Sequence, residues 1–580
     1  MTGTGSVLVG DYTGCRGQVH FGDPDSRITY VAAPFGQRPA PPETGRLAVQ
    51  WHAAPDAPRV PAPADRERLL LSGPVMGPVT PDRVRQIASA LKNARYAELA
   101  RLPGDLAGCL VTEHRVFLFR SATSREGLLH RRDGALLRWS TDPTDLLDGP
   151  EEFDHEAIWR SCRGDEVFIY DNLTPVLPGQ VVVVDRDRVD VVEYDPIVPL
   201  ELPRHTTMPE YAEIAYDLIL QAVRPYTGRG RIGILLSGGL DSGAVLTALV
   251  DSGADVVAYH QATDDPLADE SGYAREVCDH LGVPFVPVMM DHDEGYLSEK
   301  WELPHPYNNI AFRWQEQIAD RIERDGITFL TWGRDGDMVF GPTRYGLYEV
   351  LHGDLRLREK AALCRGLLCS RFESSRILRS ASASSSVLGD LVPTGDNARA
   401  TDFLTPLPGV PDDRFSDAYS ARDHCVDLSV WRPRGIQLCS PLGDKGIRRL
   451  AARMPDAYRL LPYQGRLITK PVLRLLLSTR LPERIWRRYG RLWLDSPHKN
   501  YALNHGQVLA DLIGRPDAHL IRMGIVDPRQ LARVLAEPAS LRRNAEQLIC
   551  AAMTELFLRG DARRASVTQK GVRDASRTAG

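Results

Sequence analysis

The residues best placed to do chemistry are Leu236-Ser237-Gly238-Gly239-Leu240-Asp241-Ser242. They follow a short apolar segment and open a helical one. Glycines let the backbone approach a phosphate closely, and a helix N-terminus offers free N–H groups and the positive end of its dipole to an anion. Ser237 and Ser242 add hydroxyl donors. Asp241 repels a phosphate unless a cation stands between them, so the motif implies Mg²⁺. No Gly-Lys-Ser/Thr follows, so this is not a Walker loop.

The elements around this loop set its position. Residues 208–223 carry an amphipathic helix pattern. Apolar strands are expected over 231–236, 255–259, 284–288 and 327–331, with helices over 242–250, 271–281 and 312–324. Strands alternating with such helices give βαβ units and a parallel sheet. Before them, 1–196 reads as a mixed α+β domain. Its strands are expected over 115–119, 166–170 and 181–184, with a Pro178-Gly179 turn between the last two and helices over 81–96 and 151–162. Pro196, Pro199 and Pro203 suit an extended linker. The Ser-rich stretch 374–401 reads as a long mobile loop, 447–557 as mostly helical, and 560–580 as a disordered tail.

Composition bounds the class. The chain has 580 residues, 43% apolar and 25% charged, so collagen-like, coiled-coil and wholly disordered readings are excluded. Its net charge of −5 argues against a uniformly basic nucleic-acid binder, and no nucleic-acid partner is expected. No run of about 18 apolar residues suggests a membrane span. The start lacks the basic and apolar segments of a signal peptide. Nine cysteines without a CxxC spacing fit reduced thiols in a cytoplasmic protein.

The motif Ser237-Gly238-Gly239-Leu240-Asp241-Ser242 resembles the pyrophosphate loop of N-type ATP pyrophosphatases, specifically the asparagine synthetase superfamily. Other positions agree in order. Asp269-Glu270 with Tyr273-Ala274 resembles the family's helix start after the second strand. Gly333-Arg334-Asp335-Gly336-Asp337, with Phe340-Gly341, resembles its second glycine loop. Ser440-Pro441-Leu442-Gly443-Asp444 and Lys470-Pro471-Val472-Leu473-Arg474 resemble two later motifs. The resemblance implies an adenine-nucleotide α-hydrolase-like synthetase domain over 207–557, with a helical C-terminal part. It implies ATP and Mg²⁺ as cofactors, the metal on Asp241 and Asp337, and Lys470 against phosphates or the tetrahedral intermediate. Leu236, Tyr259 and Gly333 join the loop residues as candidate nucleotide contacts.

The chain departs from the family at Arg334, where asparagine synthetases have Glu and β-lactam synthetases have Tyr; Asp335 replaces a glycine and Met338 a Glu. Arginine stays protonated and is no general base, but it pairs well with a carboxylate or phosphate. Asp335, Glu349 and substrate carboxylates remain candidates for deprotonating the amine.

Residues 1–196 resemble the superfamily's Ntn-type glutaminase domain, but Thr2 stands where active members have Cys, so the domain reads as degenerate. The amine must then come from the second substrate. The resemblance is greatest to lasso peptide cyclases, which adenylate an Asp or Glu side chain of a precursor peptide and join it to the peptide's N-terminal amine, releasing AMP and pyrophosphate. A leader-binding protein and a leader protease are the implied partners. A small-molecule amide ligase of asparagine synthetase or β-lactam synthetase type stays open, as does a non-enzymatic nucleotide binder. Nine Lys/Arg over 461–500, with Trp486, Tyr489 and Trp493 among them, read either as a binding surface or as solvated helix faces.

Overall fold

The computed structural model describes most of residues 81–101, 107–147, 153–228, 230–290, 311–341, 425–463, 466–488 and 496–559. It also gives short strands before residue 73, residues 305–306 and 402–405, and scattered positions within 356–365. Thr2, Glu349, the stretch 374–401 and the tail 560–580 lie outside the described residues.

The N-terminal region stacks two sheets. One runs in the order Val189–Glu193, Gln180–Val184, Val116–Arg120, Ala107–Val111, Arg68–Ser72, Ser6–Leu8, Arg59–Pro61. The other runs Thr174–Pro175, Leu129–Asp133, Leu136–Ser140, Tyr12–His20, Thr29–Pro34. Leu118, Cys109 and Val182 pack from the first sheet against Leu137 and Trp139 of the second. On the outer face, Phe117, Phe119 and Val181 pack against Val84, Ile87 and Leu91 of helix α1, Pro81–Lys92. A strand covered on both faces has no face left for polar residues. That is why Val116–Arg120 is apolar along almost its whole length rather than alternating.

Helix α2, His155–Cys162, is capped by the Asp154 side chain, which accepts from the Glu156 N–H. It packs on the C-terminal helix Ala545–Arg559. The Phe153 ring lies 5.6 Å from that of Phe557, and the Ser161 and Thr554 hydroxyls are hydrogen-bonded at 3.1 Å. One apolar core therefore holds residues of the N-terminal region, from Leu129 on, and of the C-terminal helix. The expected strand at 166–170 does not form. Its described residues, 167–170, pack in this core without strand pairing apart from an isolated Phe153–Tyr170 bridge.

Helix α3, Met208–Val223, opens on a capping box of Thr207 and Glu210. A parallel sheet follows, in the order Phe285–Met289, Val256–Ala262, Ile232–Leu235, Phe329–Trp332, Gln437–Cys439. Helices α4 (Leu240–Asp251), α5 (Ser271–Leu281) and α6 (Ala311–Arg324) lie between its strands in sequence. The first strand sits centrally, and the order reverses beside it. Crevices for ligands open at the carboxyl ends of strands at such a switch point. The loops after Leu235 and after Trp332 meet there. Unexpected elements include the strands Ala107–Val111, Leu129–Asp133, Leu136–Ser140 and Val189–Glu193 in the N-terminal region, the Gln437–Cys439 strand, and a hairpin of Leu460–Tyr463 with Arg466–Thr469 inside the helical C-terminal part. The linker is docked rather than loose: Leu200 N–H donates to Arg449 O at 2.9 Å, and Arg449 Nε to Val198 O at 3.0 Å.

The shared core predicts that Phe153→Ala destabilises the whole chain. Phe153 is fully buried, and losing a buried ring costs about 3–5 kcal/mol. Urea unfolding should shift to a lower midpoint in one transition. A loss below about 1 kcal/mol would show that the core is not shared as described.

Candidate active site

Three backbone segments converge at the switch point, and each is shaped so that the others can reach it. The first is the loop from Leu236 into α4. Gly238 has φ +78°, and a Cβ there would lie 2.7 Å from Ala274 N and 2.9 Å from Tyr273 Cβ. Only glycine fits, and the close approach brings the start of α5 against the loop. Gly239 caps α4. Ser237 Oγ accepts from Gly239 N–H at 3.2 Å and lies 3.1 Å from Ser242 Oγ. The two hydroxyls thus brace the loop while α4 presents its N-terminus to the crevice.

The second segment runs from Gly333 into helix α7, Gly336–Phe340. A Cβ on Gly333 would overlap Ser242 N, and one on Gly336 would overlap the Asp241 carboxyl. The two loops therefore lie directly on one another, and Asp337 enters beside Asp241. The third segment ends the hairpin at Lys470, which adopts a left-handed conformation with φ 56°. Such a backbone in a non-glycine residue costs roughly 1–2 kcal/mol and clusters at functional sites. Lys470 is 4% exposed. Its Nζ pairs with Asp241 and lies 2.7 Å from Asp337 Oδ1.

Arg459 ties this arrangement together. Its Nη1 donates to Val339 O at 2.8 Å and Gly341 O at 3.3 Å, holding the end of α7. Its carbonyl accepts from Lys470 N–H at 2.9 Å. Asp337 and Lys470 thus share one anchor. Asp337 keeps 63% of its side chain exposed, so the cluster opens to solvent on that side. Two carboxylates around one ammonium form a hard-oxygen pair suited to a divalent cation that also takes phosphate oxygens. Among the described residues no group of three or more His, Cys, Asp or Glu could hold a metal without such help.

The other expected residues fall differently. Leu236 contributes backbone: its N–H donates to Tyr259 O at 2.8 Å, and its side chain lies in the core. The Tyr259 side chain is not brought to the loop. Its ring belongs to the core that holds Ile318 and Leu330, and its hydroxyl donates to Asp325, at the edge of that core, at 2.9 Å. Strand alternation gives the loop His260 instead, which sequence reasoning missed. His260 Nδ1 bonds Leu236 O at 2.7 Å, and its ring lies against Phe285. Burial holds its pKa below the ordinary value. A neutral ring with Nδ1–H donating to a carbonyl leaves Nε2 as an acceptor. Nε2 has no hydrogen-bond partner among the described residues. The available signal was a lone imidazole following the apolar start of the strand, Val256-Val257-Ala258.

Arg334 lies with its guanidinium 5.8 Å from the Trp332 ring centre. Asp335 has φ 69°, the backbone for which the family's glycine is suited. Its Oδ2 accepts from Ser440 Oγ at 2.6 Å and Arg125 Nη1 at 3.1 Å. Burial alone would raise its pKa, but Arg125, Arg448, Ser440 and Arg334 outweigh it and hold the carboxyl below its ordinary value. The expectation that Asp335 takes the amine's proton does not fit this surrounding, because a carboxylate so stabilised is a weak base.

The basic stretch after residue 466 is largely engaged. Arg474 donates to Thr469 O, Trp486 O and Arg488 O. Arg488 pairs with Glu270 and lies 4.2 Å from the Tyr273 ring centre. Arg484 bonds Glu276 at 2.9 Å.

Fold and site combine a parallel sheet, a glycine loop on a helix N-terminus, and a lysine shared by two aspartates. Residues 215–380 match the asparagine synthase family, which spans both glycine loops and both aspartates. The match covers part of the chain, and over that part the chain resembles the asparagine synthetase superfamily. The family's members are ATP-dependent ligases that form carbon–nitrogen bonds. Over 164 residues the chain is 25% identical to the Microcin J25-processing protein McjC of Escherichia coli. The alignment covers 27% of this chain and 32% of that relative, so the chain spans about a third of the length of the curated protein it matches.

The Asp335 surrounding predicts a pH dependence of stability. A carboxyl depressed in the folded state stabilises above its unfolded value, and that contribution disappears as pH falls through the folded value. Asp335→Asn should therefore lower the unfolding free energy at neutral pH. The gap to the parent should close as pH drops below the ordinary value of 3.8. A gap independent of pH across urea titrations would contradict this.

Proposed function

We propose that the chain is an ATP-dependent, AMP-forming ligase that closes an amide ring within a precursor peptide. The observation that carries this reading is the Lys470 ammonium held between Asp241 and Asp337 at the N-terminal end of α4. The α4 N–H groups and the 237–242 loop receive the nucleotide phosphates. Mg²⁺, held by Asp241 and Asp337 when bound, would supply charge against the phosphate oxygens. A carboxylate oxygen of the peptide attacks the α-phosphorus, and the bond to the departing pyrophosphate breaks. The peptide's amine then attacks the acyl carbon, the bond to AMP breaks, and the amine's proton leaves to a base. Lys470 stabilises negative charge developing on the oxygens of either step. Arg334, beside Trp332, is suited to a substrate carboxylate or phosphate.

The relative in Escherichia coli bears the name of a microcin-processing protein, which supports a peptide rather than free ammonia as the source of the amine. The proposal also reads 1–196 as a degenerate Ntn-type domain followed by a synthetase domain over 207–557; two stacked sheets, with helix α1 on the outer face of one, support that reading. A leader-binding protein and a leader protease belong to the proposal. So does a cytoplasmic location: the six described cysteines are buried free thiols, and no helix of the described residues is long and apolar enough to cross a membrane.

The test is mass spectrometry of the chain with ATP, Mg²⁺ and the candidate peptide from its own locus. The expected result is loss of one water from the peptide, matched by AMP rather than ADP. Lys470→Ala and Asp241→Ala should each lower the rate by roughly 10²–10³-fold or more. AMP release with a small-molecule acid, and an unchanged peptide, would replace this reading with a small-molecule amide ligase.

A further inference from the structure

The connection over 121–128 joins strands of the two N-terminal sheets. Its sequence, Ser-Ala-Thr-Ser-Arg-Glu-Gly-Leu, is polar, yet most of it is buried. Connections normally run over the surface because buried backbone needs partners. Here the chain supplies them locally. Arg120 Nη2 donates to Ser124 O at 2.8 Å, Ser124 N–H to Ser121 O at 3.1 Å, and Glu126 N–H to Ser124 Oγ at 3.2 Å. The tip is thereby held in one shape, and two adjacent charges leave it. Glu126 pairs with Arg432 at 2.7 Å, and Arg432 also pairs with Asp427. Arg125 bonds Asp335 at 3.1 Å and lies 5.0 Å from the Trp332 ring centre.

We propose that this connection is a built-in positioning element of the synthetase site, with Arg125 setting the conformation of the Gly333–Asp337 loop through Asp335. Asp335 immediately precedes Gly336, which lies against Asp241, and stands two residues before Asp337. Its carboxylate is wedged beneath Gly443, where a Cβ would come within 2.6 Å of Oδ2. A shift of Asp335 must therefore move both contacts of the Lys470 cluster. A glycine at 335 would take the same left-handed backbone without bringing a buried charge. The aspartate's buried charge needs cations beside it: Arg448 and Arg334 act from within the site region, while the guanidinium of Arg125, which is hydrogen-bonded to it, comes from the N-terminal region. The element acts on the site whichever acid is activated there, and its catalytic consequence rests on the adenylating reading above. Arg125 is a positioning residue, not one that touches substrate.

The test is a cycle of Arg125→Ala, Asp335→Gly and their combination in the full chain, read in two ways. Hydrogen exchange over 330–341 requires no reaction. It should rise in Arg125→Ala and return toward the parent in the double variant. AMP release should fall roughly 10- to 100-fold in kcat for Arg125→Ala. KM for ATP should stay within about threefold, because the 237–242 loop is untouched. Asp335→Gly should rescue most of that loss, and Arg125→Lys part of it. Should Arg125→Ala not fold, Asp335→Gly and Asp335→Gly/Arg125→Gln are compared; equal activity and exchange support the proposal, and a tenfold loss in the double variant overturns it. Unchanged exchange in Arg125→Ala, or additive losses in the cycle, also overturn it. A parent chain without AMP release overturns the adenylating reading instead, and the exchange data then decide the positioning element alone.

Discussion

Two carboxylates, Asp241 and Asp337, come from separate strand-to-helix loops, and one ammonium, Lys470, comes from a hairpin far along the chain. A buried ammonium without an anion, or paired carboxylates without a cation, would be strongly unfavourable. The three charges therefore require one another. Their meeting also dictates backbone. Gly333 and Gly336 must lack side chains for the loops to touch, and Lys470 must take a left-handed conformation to aim its side chain from the helix N-cap. Arg459 then couples the two later partners by gripping the end of α7 and the Lys470 amide together. Much of the sheet's carboxyl edge follows from keeping these contacts.

The sequence made local features legible and long-range ones not. The parallel strands and α4 to α6 were readable because each is a short apolar or amphipathic run closed by glycine or a polar turn. The loop 236–242 was readable because its chemistry is contiguous. Tyr259 and His260 show the limit. Both lie within the strand Val256–Ala262, and which of them faces the loop depends on the register of a buried strand, where apolar alternation gives no signal. The Gln437–Cys439 strand is only three residues long and gains its place by pairing with Phe329–Thr331. The hairpin before Lys470 has only Gln464-Gly465 between its strands, not the stronger Asn-Gly or Asp-Gly signal, and Pro462 inside its first strand argues against a strand there. Asp335 was readable as an acid in the right loop, but not as one neutralised by Arg125, because that pair joins residues 210 apart.

The N-terminal region and the synthetase site are joined in two different ways. Apolar packing of α2 on Ala545–Arg559 supplies adhesion, because burial is non-directional and scales with area. It does not fix register, since a small slide would bury almost as much. The charges at the other contact do fix it. Arg125 meets Asp335, and the next residue, Glu126, meets Arg432. A shift of one residue would set either Glu126 against Asp335 or Arg125 against Arg432, depending on its direction, so one like-charge pair would replace two attractive ones. Buried ion pairs contribute little net stability, because desolvation offsets their attraction. Their contribution lies in the penalty they place on the wrong alignment. Adhesion from the apolar contact and alignment from the alternating charges together explain why so polar a connection is buried at the edge of the site.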